Sequence, residues 1–118
     1  MKKLLIIEDD INMLNLMGYL FEVSEFEIVE SQKPIPIPEI VRLNPSIVVI
    51  DCFLDSAQPG EEMCLEMKSD PTTNNIPVIL FSSSPHLKTI AHDCGADAFI
   101  AKPFELDHFV KVVRELAL

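Results

Sequence analysis

Four β-branched apolar residues in succession, Ile47 to Ile50, constrain the fold of this chain more than any other feature. A run of this kind is typical of a parallel strand that is buried on both faces of a sheet. Asp51 follows the run directly. Since ligands of open α/β sheets bind beside the carboxyl ends of the strands, Asp51 is a candidate functional residue. Taken alone, an aspartate after a strand is more often a helix cap or a loop residue.

A second apolar run of the same form lies near the amino terminus. Residues 4–7 are followed at once by Glu8 and Asp9. The carboxyl ends of parallel neighbouring strands meet, so Glu8, Asp9 and Asp51 are expected to converge on one point. At about 5 Å separation and an effective dielectric of about 20, each like-charged pair repels by roughly 3 kcal/mol. We therefore expect a cation to hold these carboxylates together.

Strand-like and helix-like segments alternate about five times along the chain, which predicts an α/β domain with a parallel sheet and right-handed crossovers. The sequence from Pro34 to Pro38 has proline at every second position, which predicts an extended connector. Pro38 suits the first turn of a short helix that ends near Leu43. We expect a single domain over residues 1–118, with no output domain.

Composition narrows the possible partners. The 118 residues include 9 Lys and Arg against 19 Asp and Glu, a net charge of -10, which disfavours direct binding to nucleic acid or to anionic membranes. Partners are therefore expected to be proteins or cations. No apolar run approaches the ~20 residues that span a bilayer, and no signal peptide is visible, so we expect a cytoplasmic location. The oligomeric state is left open.

Cysteine and histidine spacing gives no sign of a metal or disulfide framework. The cysteines are odd in number and form no C-x-x-C pair, so they are interpreted as small buried hydrophobic residues. The histidines have no ligand-like spacing and are interpreted as surface or helix-end residues. The residues concerned are Cys52, Cys64, Cys94, His86, His92 and His108.

Two further polar residues follow predicted strands. Ser82 ends the apolar run at 78–81, and Lys102 follows the run at 98–101. Together with the three carboxylates, these residues suit a site for a cation and a phosphoryl group. Carboxylate oxygens are hard ligands that bind Mg²⁺. A hydroxyl and a fixed ammonium group stabilise a phosphoryl group. Asp51 could be a metal ligand or a nucleophile that forms an aspartyl phosphate.

Four motifs at these strand ends are similar to those of one family. They are the acidic pair after Ile7, Asp51 after Val49-Ile50, Ser82 after Leu80-Phe81, and the segment from Gly95-Ala96-Asp97 to Lys102-Pro103-Phe104. On these motifs the chain resembles, over nearly its whole length, the receiver domains of two-component response regulators. The resemblance implies a flavodoxin-like, doubly wound α/β fold. Its five-stranded parallel sheet has the order 2-1-3-4-5, with helices on both faces.

The resemblance also implies roles for individual residues. Asp51 would accept a phosphoryl group from a sensor histidine kinase or a phosphotransfer protein, and a downstream protein would read the result. Such a domain is a switch and not an enzyme, with at most slow self-dephosphorylation. Ser82 and Lys102 would contact the phosphoryl group, Phe99 would change rotamer on activation, and the Lys102-Pro103 bond would be cis. The implied Mg²⁺ ligands are Glu8, Asp9, Asp51 and the backbone carbonyl of Phe53.

The chain departs from the family pattern in three places. Asp55 occupies a position where the family commonly has a proline. Gly60 lies one residue later in the sequence than the glycine that the family commonly has before the next helix. The loop after Asp51 is therefore expected to be reshaped. Ser82 replaces the commoner threonine, which keeps the hydroxyl group. The proline-rich connector is also atypical, which predicts a short or displaced second helix.

Other functions are compatible with parts of this pattern. A receiver-like interaction module without phosphorylation is the main alternative, since the loop after Asp51 is altered. A haloacid-dehalogenase-like phosphatase would need a second aspartate where Phe53 stands, and a flavodoxin-like cofactor role lacks a phosphate-binding glycine loop. Structural roles are possible as well, with Ser82 as a helix cap, Lys102 as a surface cation and Phe99 as a core residue.

Overall fold

The structure is a computed structural model, and it describes residues 2–21, 25–52 and 59–117. Strands and helices alternate strictly within these ranges, as the apolar runs predict. The elements are β1 (Lys2–Ile7), α1 (Ile11–Tyr19), β2 (Phe26–Ser31), α2 (Ile37–Leu43), β3 (Ile47–Asp51), α3 (Gly60–Ser69), β4 (Val78–Ser82), α4 (Leu87–Cys94), β5 (Ala98–Ala101) and α5 (Leu106–Leu116).

The five strands form one parallel sheet in the order β2-β1-β3-β4-β5. This confirms the flavodoxin-like topology. Every residue of β3 and β4 is buried, because both strands lie inside the sheet and helices cover both of its faces. The register pairs Ile7 with Ile50, Asp51 with Phe81 and Ser82 with Ala101. The carboxyl ends of β1, β3, β4 and β5 therefore lie along one edge.

Two apolar layers hold the helices on the sheet. Alternate side chains of β3 enter different layers, with Val48 and Ile50 on one face and Ile47 and Val49 on the other. The first layer includes side chains of α2, α3 and α4, and the second includes side chains of α1 and α5. None of the helices in the described residues is long and apolar enough to cross a membrane.

All three cysteines are buried in the first layer, which agrees with their interpretation as small apolar residues. Desolvation raises the pKa of the Cys52 thiol to about 12. Desolvation is also the largest cause of the raised pKa of the Cys64 thiol. These two thiols therefore stay protonated at neutral pH and are poor nucleophiles. The three histidines are exposed, as expected for surface residues.

Helix ends follow the expected local chemistry. The Asp10 carboxylate caps α1 by accepting hydrogen bonds from the amides of Asn12 and Met13, at 2.9 and 3.3 Å. Pro38 lies in the first turn of α2, and Asn44 caps the carboxyl end of that helix with a φ of 49°, in the left-handed region. Helix α2 has only 7 residues, which confirms the short second helix predicted from the connector.

Gly60 brings the start of α3 against the backbone of β3. A Cβ atom at this position would lie 1.9 Å from the carbonyl oxygen of Asp51 and 2.9 Å from Cγ2 of Ile50. The Gly60 amide donates a hydrogen bond of 3.3 Å to the carbonyl of Cys52. No other residue fits this approach without moving the strand end that carries Asp51.

We predict that Gly60→Ala lowers the free energy of unfolding by about 3 kcal/mol, because backbone atoms have to move to admit the methyl group. Urea unfolding measures the effect. Gly18→Ala is the control. Its added Cβ meets only side-chain atoms, at 3.1 Å, and alanine favours the helix, so its change should stay within about 1 kcal/mol. Equal effects of the two substitutions would contradict the prediction.

Candidate functional site

Three carboxylates meet at the carboxyl edge of the sheet. Glu8, Asp9 and Asp51 each offer one oxygen atom, and these atoms lie within 4.8 Å of one another. The pairing of Ile7 with Ile50 causes this convergence, because Glu8 and Asp51 are the next residues along adjacent parallel strands. Glu8 is 1% exposed and Asp51 is 3% exposed, whereas Asp9 is partly exposed. Two acidic side chains are thus largely withdrawn from water.

Lys102 provides the positive charge of the site. Its Nζ lies 3.2 Å from Oε1 of Glu8 and 3.3 Å from Oδ2 of Asp51. The Lys102 amide donates a hydrogen bond of 2.8 Å to the carbonyl of Ser82, which fixes the end of β5 against the end of β4. The bond from Lys102 to Pro103 is cis, as the resemblance implies. One ammonium group therefore contacts two of the three carboxylates.

The surroundings of Glu8 raise the pKa of its carboxyl group. Desolvation, followed by the hydrogen bond and the negative charge of Asp51, raises the pKa of Glu8 to about 8, and Lys102 opposes this shift only in part. Burial and Asp51 therefore favour the protonated form of the Glu8 carboxyl group. The protonated Glu8 carboxyl group can donate a hydrogen bond to Asp51, which relieves the repulsion between the two buried groups.

The donor atoms fit a hard divalent cation. Oε2 of Glu8 is buried and has no hydrogen-bond partner among the described residues. A buried carboxylate oxygen without a partner is costly, and a metal ion would satisfy it. The cluster can thus hold a cation through Glu8, Asp9 and Asp51. The carbonyl of Phe53, a further ligand implied by the resemblance, lies outside the described residues, as does Asp55.

Ser82 lies at the same edge of the sheet, at the end of β4. Its side chain is fully buried, and its hydroxyl oxygen accepts a hydrogen bond of 3.0 Å from the Ser84 amide. The hydroxyl group thereby anchors the loop between β4 and α4. The backbone carbonyl of Ser82 accepts the hydrogen bond from the Lys102 amide. This bond holds together two residues that were predicted from separate strand ends.

Phe99 lies outside the carboxylate cluster. Its side chain on β5 is 44% exposed, so it is not a core residue. It lines a shallow surface depression together with Pro103 and His108. The structure therefore brings the carboxylates, Lys102 and Ser82 to one edge of the sheet and leaves Phe99 at the surface.

Two residues near the site were not singled out by the sequence. Nε2 of Gln32 donates a hydrogen bond of 2.9 Å to the carbonyl of Asp9, and no sequence signal pointed to it. The ring of Phe81 lies beneath Lys102, with Nζ 4.6 Å from its centroid. Phe81 was visible only as one apolar residue in a buried strand, since its contact with Lys102 depends on how β4 and the end of β5 are placed.

The raised pKa of Glu8 predicts how stability depends on pH in the metal-free protein. The folded state binds the Glu8 proton more tightly than the unfolded state does, so protonation of Glu8 contributes to the free energy of unfolding. This contribution is complete below the unfolded-state pKa and is lost as pH rises toward about 8. Glu8→Gln removes the titration. We expect the variant to gain stability relative to the unsubstituted protein as pH rises from about 4.5 to about 8. Urea unfolding in the presence of a chelator across this range measures the difference, and a constant difference would contradict the prediction.

Comparison with known proteins identifies the family. The family model that describes the response regulator receiver domain matches residues 4–114 of this chain. RpaA of Synechocystis, a DNA-binding dual master transcriptional regulator, is 27% identical over 98% of this chain and 49% of its own length. The sensory transduction protein BceR of Halalkalibacterium halodurans is 32% identical over 98% of this chain and 50% of its own length.

A solved structure agrees with this match. The signal receiver domain of a signal transduction histidine kinase from Syntrophus aciditrophicus superposes with a TM-score of 0.83. It is 25% identical, and the match covers 99% of this chain and 90% of that one. The chain spans about half the length of the two curated relatives. With the family model covering residues 4–114 and the sheet order of the fold in agreement, the chain belongs to the response regulator receiver domain family.

Proposed function

We propose that this domain is a signalling switch in which Asp51 accepts a phosphoryl group from a histidine kinase or a phosphotransfer protein, in a Mg²⁺-dependent reaction. The observation that carries the proposal is the contact of Lys102 with both Glu8 and Asp51, at 3.2 and 3.3 Å, within a cluster of three carboxylates. The chain contributes an acceptor, metal ligands and a fixed positive charge.

In the proposed transfer, a carboxylate oxygen of Asp51 attacks the phosphorus atom of a phosphohistidine. The new O–P bond forms as the N–P bond breaks, and the electron pair of that bond returns to the histidine nitrogen. Lys102 balances the charge on the phosphoryl oxygens from its position beside Asp51. Bound Mg²⁺ would supply further neutralisation of the same oxygens, held by Glu8, Asp9 and Asp51.

Protonation of the cluster couples metal binding to the reaction. A proton on Glu8 is favoured while the site contains only carboxylates and Lys102, because desolvation and Asp51 raise the pKa of Glu8. Metal ligands have to be deprotonated, so Glu8 would lose that proton on holding a cation. Loss of that proton would end the hydrogen bond from Glu8 to Asp51 and let an Asp51 oxygen act as the nucleophile.

Ser82 and Phe99 are the proposed switch residues. The Ser82 hydroxyl accepts a hydrogen bond from the Ser84 amide in this state. Donation of the hydroxyl proton to a phosphoryl oxygen on Asp51 would pull the loop between β4 and α4 inward. Phe99, now 44% exposed, would then change rotamer and alter the surface that a downstream protein reads. We propose a protein as the downstream target, in keeping with the net charge of -10.

A receiver-like module that signals without phosphorylation is the alternative. The contact of Lys102 with Glu8 and Asp51 favours phosphorylation, since an interaction module has no need to keep buried carboxylates beside an ammonium group. Catalysis is expected to be limited to slow loss of the phosphoryl group from Asp51.

Incubation with acetyl phosphate and Mg²⁺ tests the proposal. We expect intact-protein mass spectrometry to find the mass of one added phosphoryl group, and Asp51→Asn to abolish it because the amide is not a competent nucleophile. Asp93→Asn, on the exposed surface of α4, is the control and should leave the mass gain unchanged. If the unsubstituted protein gains no mass, the domain is instead an interaction module.

Mg²⁺ is expected to stabilise the fold by about 2.7 kcal/mol at a concentration 100 times its dissociation constant, because it binds the folded state alone. Asp9→Asn should reduce this stabilisation strongly. Asp10→Asn is the matched control, since asparagine caps a helix as well as aspartate does and Asp10 serves α1. Thermal unfolding with and without Mg²⁺ measures both. Equal losses in the two variants would contradict the assignment of Asp9 as a ligand.

A further inference from the structure

An aromatic ring lies against the ammonium group of Lys102. Nζ of Lys102 is 4.6 Å from the centroid of the Phe81 ring, well inside the range of about 6 Å for cation–π attraction. Phe81 is fully buried and the Lys102 side chain is 24% exposed, so the contact is partly withdrawn from water, and such attraction is stronger there than at a fully exposed site. The same ammonium group contacts Glu8 and Asp51. Its position is therefore defined by two carboxylates and one ring.

The ring of Phe81 is itself held in place. Phe104 meets it in a T-shaped contact, with centroids 6.2 Å apart and an interplanar angle of 79°, and Phe104 packs in turn on Phe109 at 5.5 Å. The backbone of Phe81 pairs with Asp51 in the sheet, and its carbonyl accepts a hydrogen bond of 3.1 Å from the Cys52 amide. The ring thus has a fixed position relative to Asp51.

The ion pairs of Lys102 are not sufficient to keep it in place during the proposed reaction. Glu8 and Asp51 are the groups that would bind the cation, and a bound cation weakens their attraction for the ammonium group. Lysine has a flexible four-carbon stem, so a weakened ion pair lets the side chain leave the site. The Phe81 ring carries no net charge and binds no Mg²⁺, so its attraction for Lys102 persists.

We propose that Phe81 is a positioning residue, whose ring holds the Lys102 ammonium group beside Asp51 independently of the two carboxylates. The inference rests on the proposed function, because it concerns the state of Lys102 when a phosphoryl group arrives at Asp51. The contact itself can be tested without phosphorylation.

Site-specific replacement of Phe81 by a trifluorinated phenylalanine tests the role in the reaction. Fluorination keeps the shape of the buried ring but withdraws the negative charge from its face, which weakens cation–π attraction. We expect phosphorylation by acetyl phosphate and Mg²⁺ to slow by roughly two- to fivefold. The same replacement at Phe109 is the matched control, because that ring is equally buried but is separated from Lys102 by Phe104. An unchanged or faster rate at position 81, or equal slowing at both positions, would overturn the proposal.

Nuclear magnetic resonance of the unphosphorylated protein tests the contact separately. We expect the ε-methylene protons of Lys102 to resonate upfield of other lysines, because the Nζ atom next to them lies over the ring, and to remain so with saturating Mg²⁺. Phe109→Leu should keep the shift and Phe81→Leu should remove it. An ordinary position for these protons, with or without Mg²⁺, would overturn the proposal. If the shift is present but no phosphoryl group is accepted, the contact stands and the proposed function fails.

Discussion

The balance of charge between Lys102 and the buried carboxylates is the interaction on which the site depends. Two acidic side chains are almost fully withdrawn from water, and a third lies beside them. Burial and the neighbouring Asp51 raise the pKa of Glu8, Lys102 offsets this shift only in part, and the second oxygen of Glu8 has no hydrogen-bond partner in the described part of the chain. The protein therefore contains a locally unfavourable arrangement that a cation would relieve. This is the expected state of a site built for a ligand and not for stability alone.

The parallel sheet makes that arrangement possible. Hydrogen bonds along β1, β3 and β4 fix the register. Glu8, directly after β1, therefore lies at the same edge as Asp51 and Ser82, which end β3 and β4. The buried side chains of the two core layers hold these strands in place. Gly60 lets α3 begin directly against the carbonyl of Asp51, which a side chain would prevent. Core packing thus supplies the rigidity that keeps like charges close together.

Much of the fold and of the carboxylate cluster could be predicted from the sequence, because the patterns that indicate them extend over only a few residues. Continuous apolar runs such as residues 47–50 indicate buried parallel strands, and a polar residue directly after such a run has to lie at the strand end. The five alternations of strand and helix predicted the α/β class, and the family motifs implied the strand order that the structure has. The carboxylate cluster followed from the same reasoning. Asp10, the third acidic residue after β1, caps α1 instead of joining the carboxylate cluster.

What the sequence determined by itself is which elements form and which residues end each strand, since hydrophobic period, proline and glycine placement and capping act over a few residues. The tertiary structure alone decided the contacts between distant segments. Lys102 lies 94 residues from Glu8 in the chain, and Gln32 lies 23 residues from Asp9. Phe81 reads as an ordinary core residue until β4 and the end of β5 are placed together. Such contacts depend on register and packing across the whole sheet, and no short stretch of sequence contains that information.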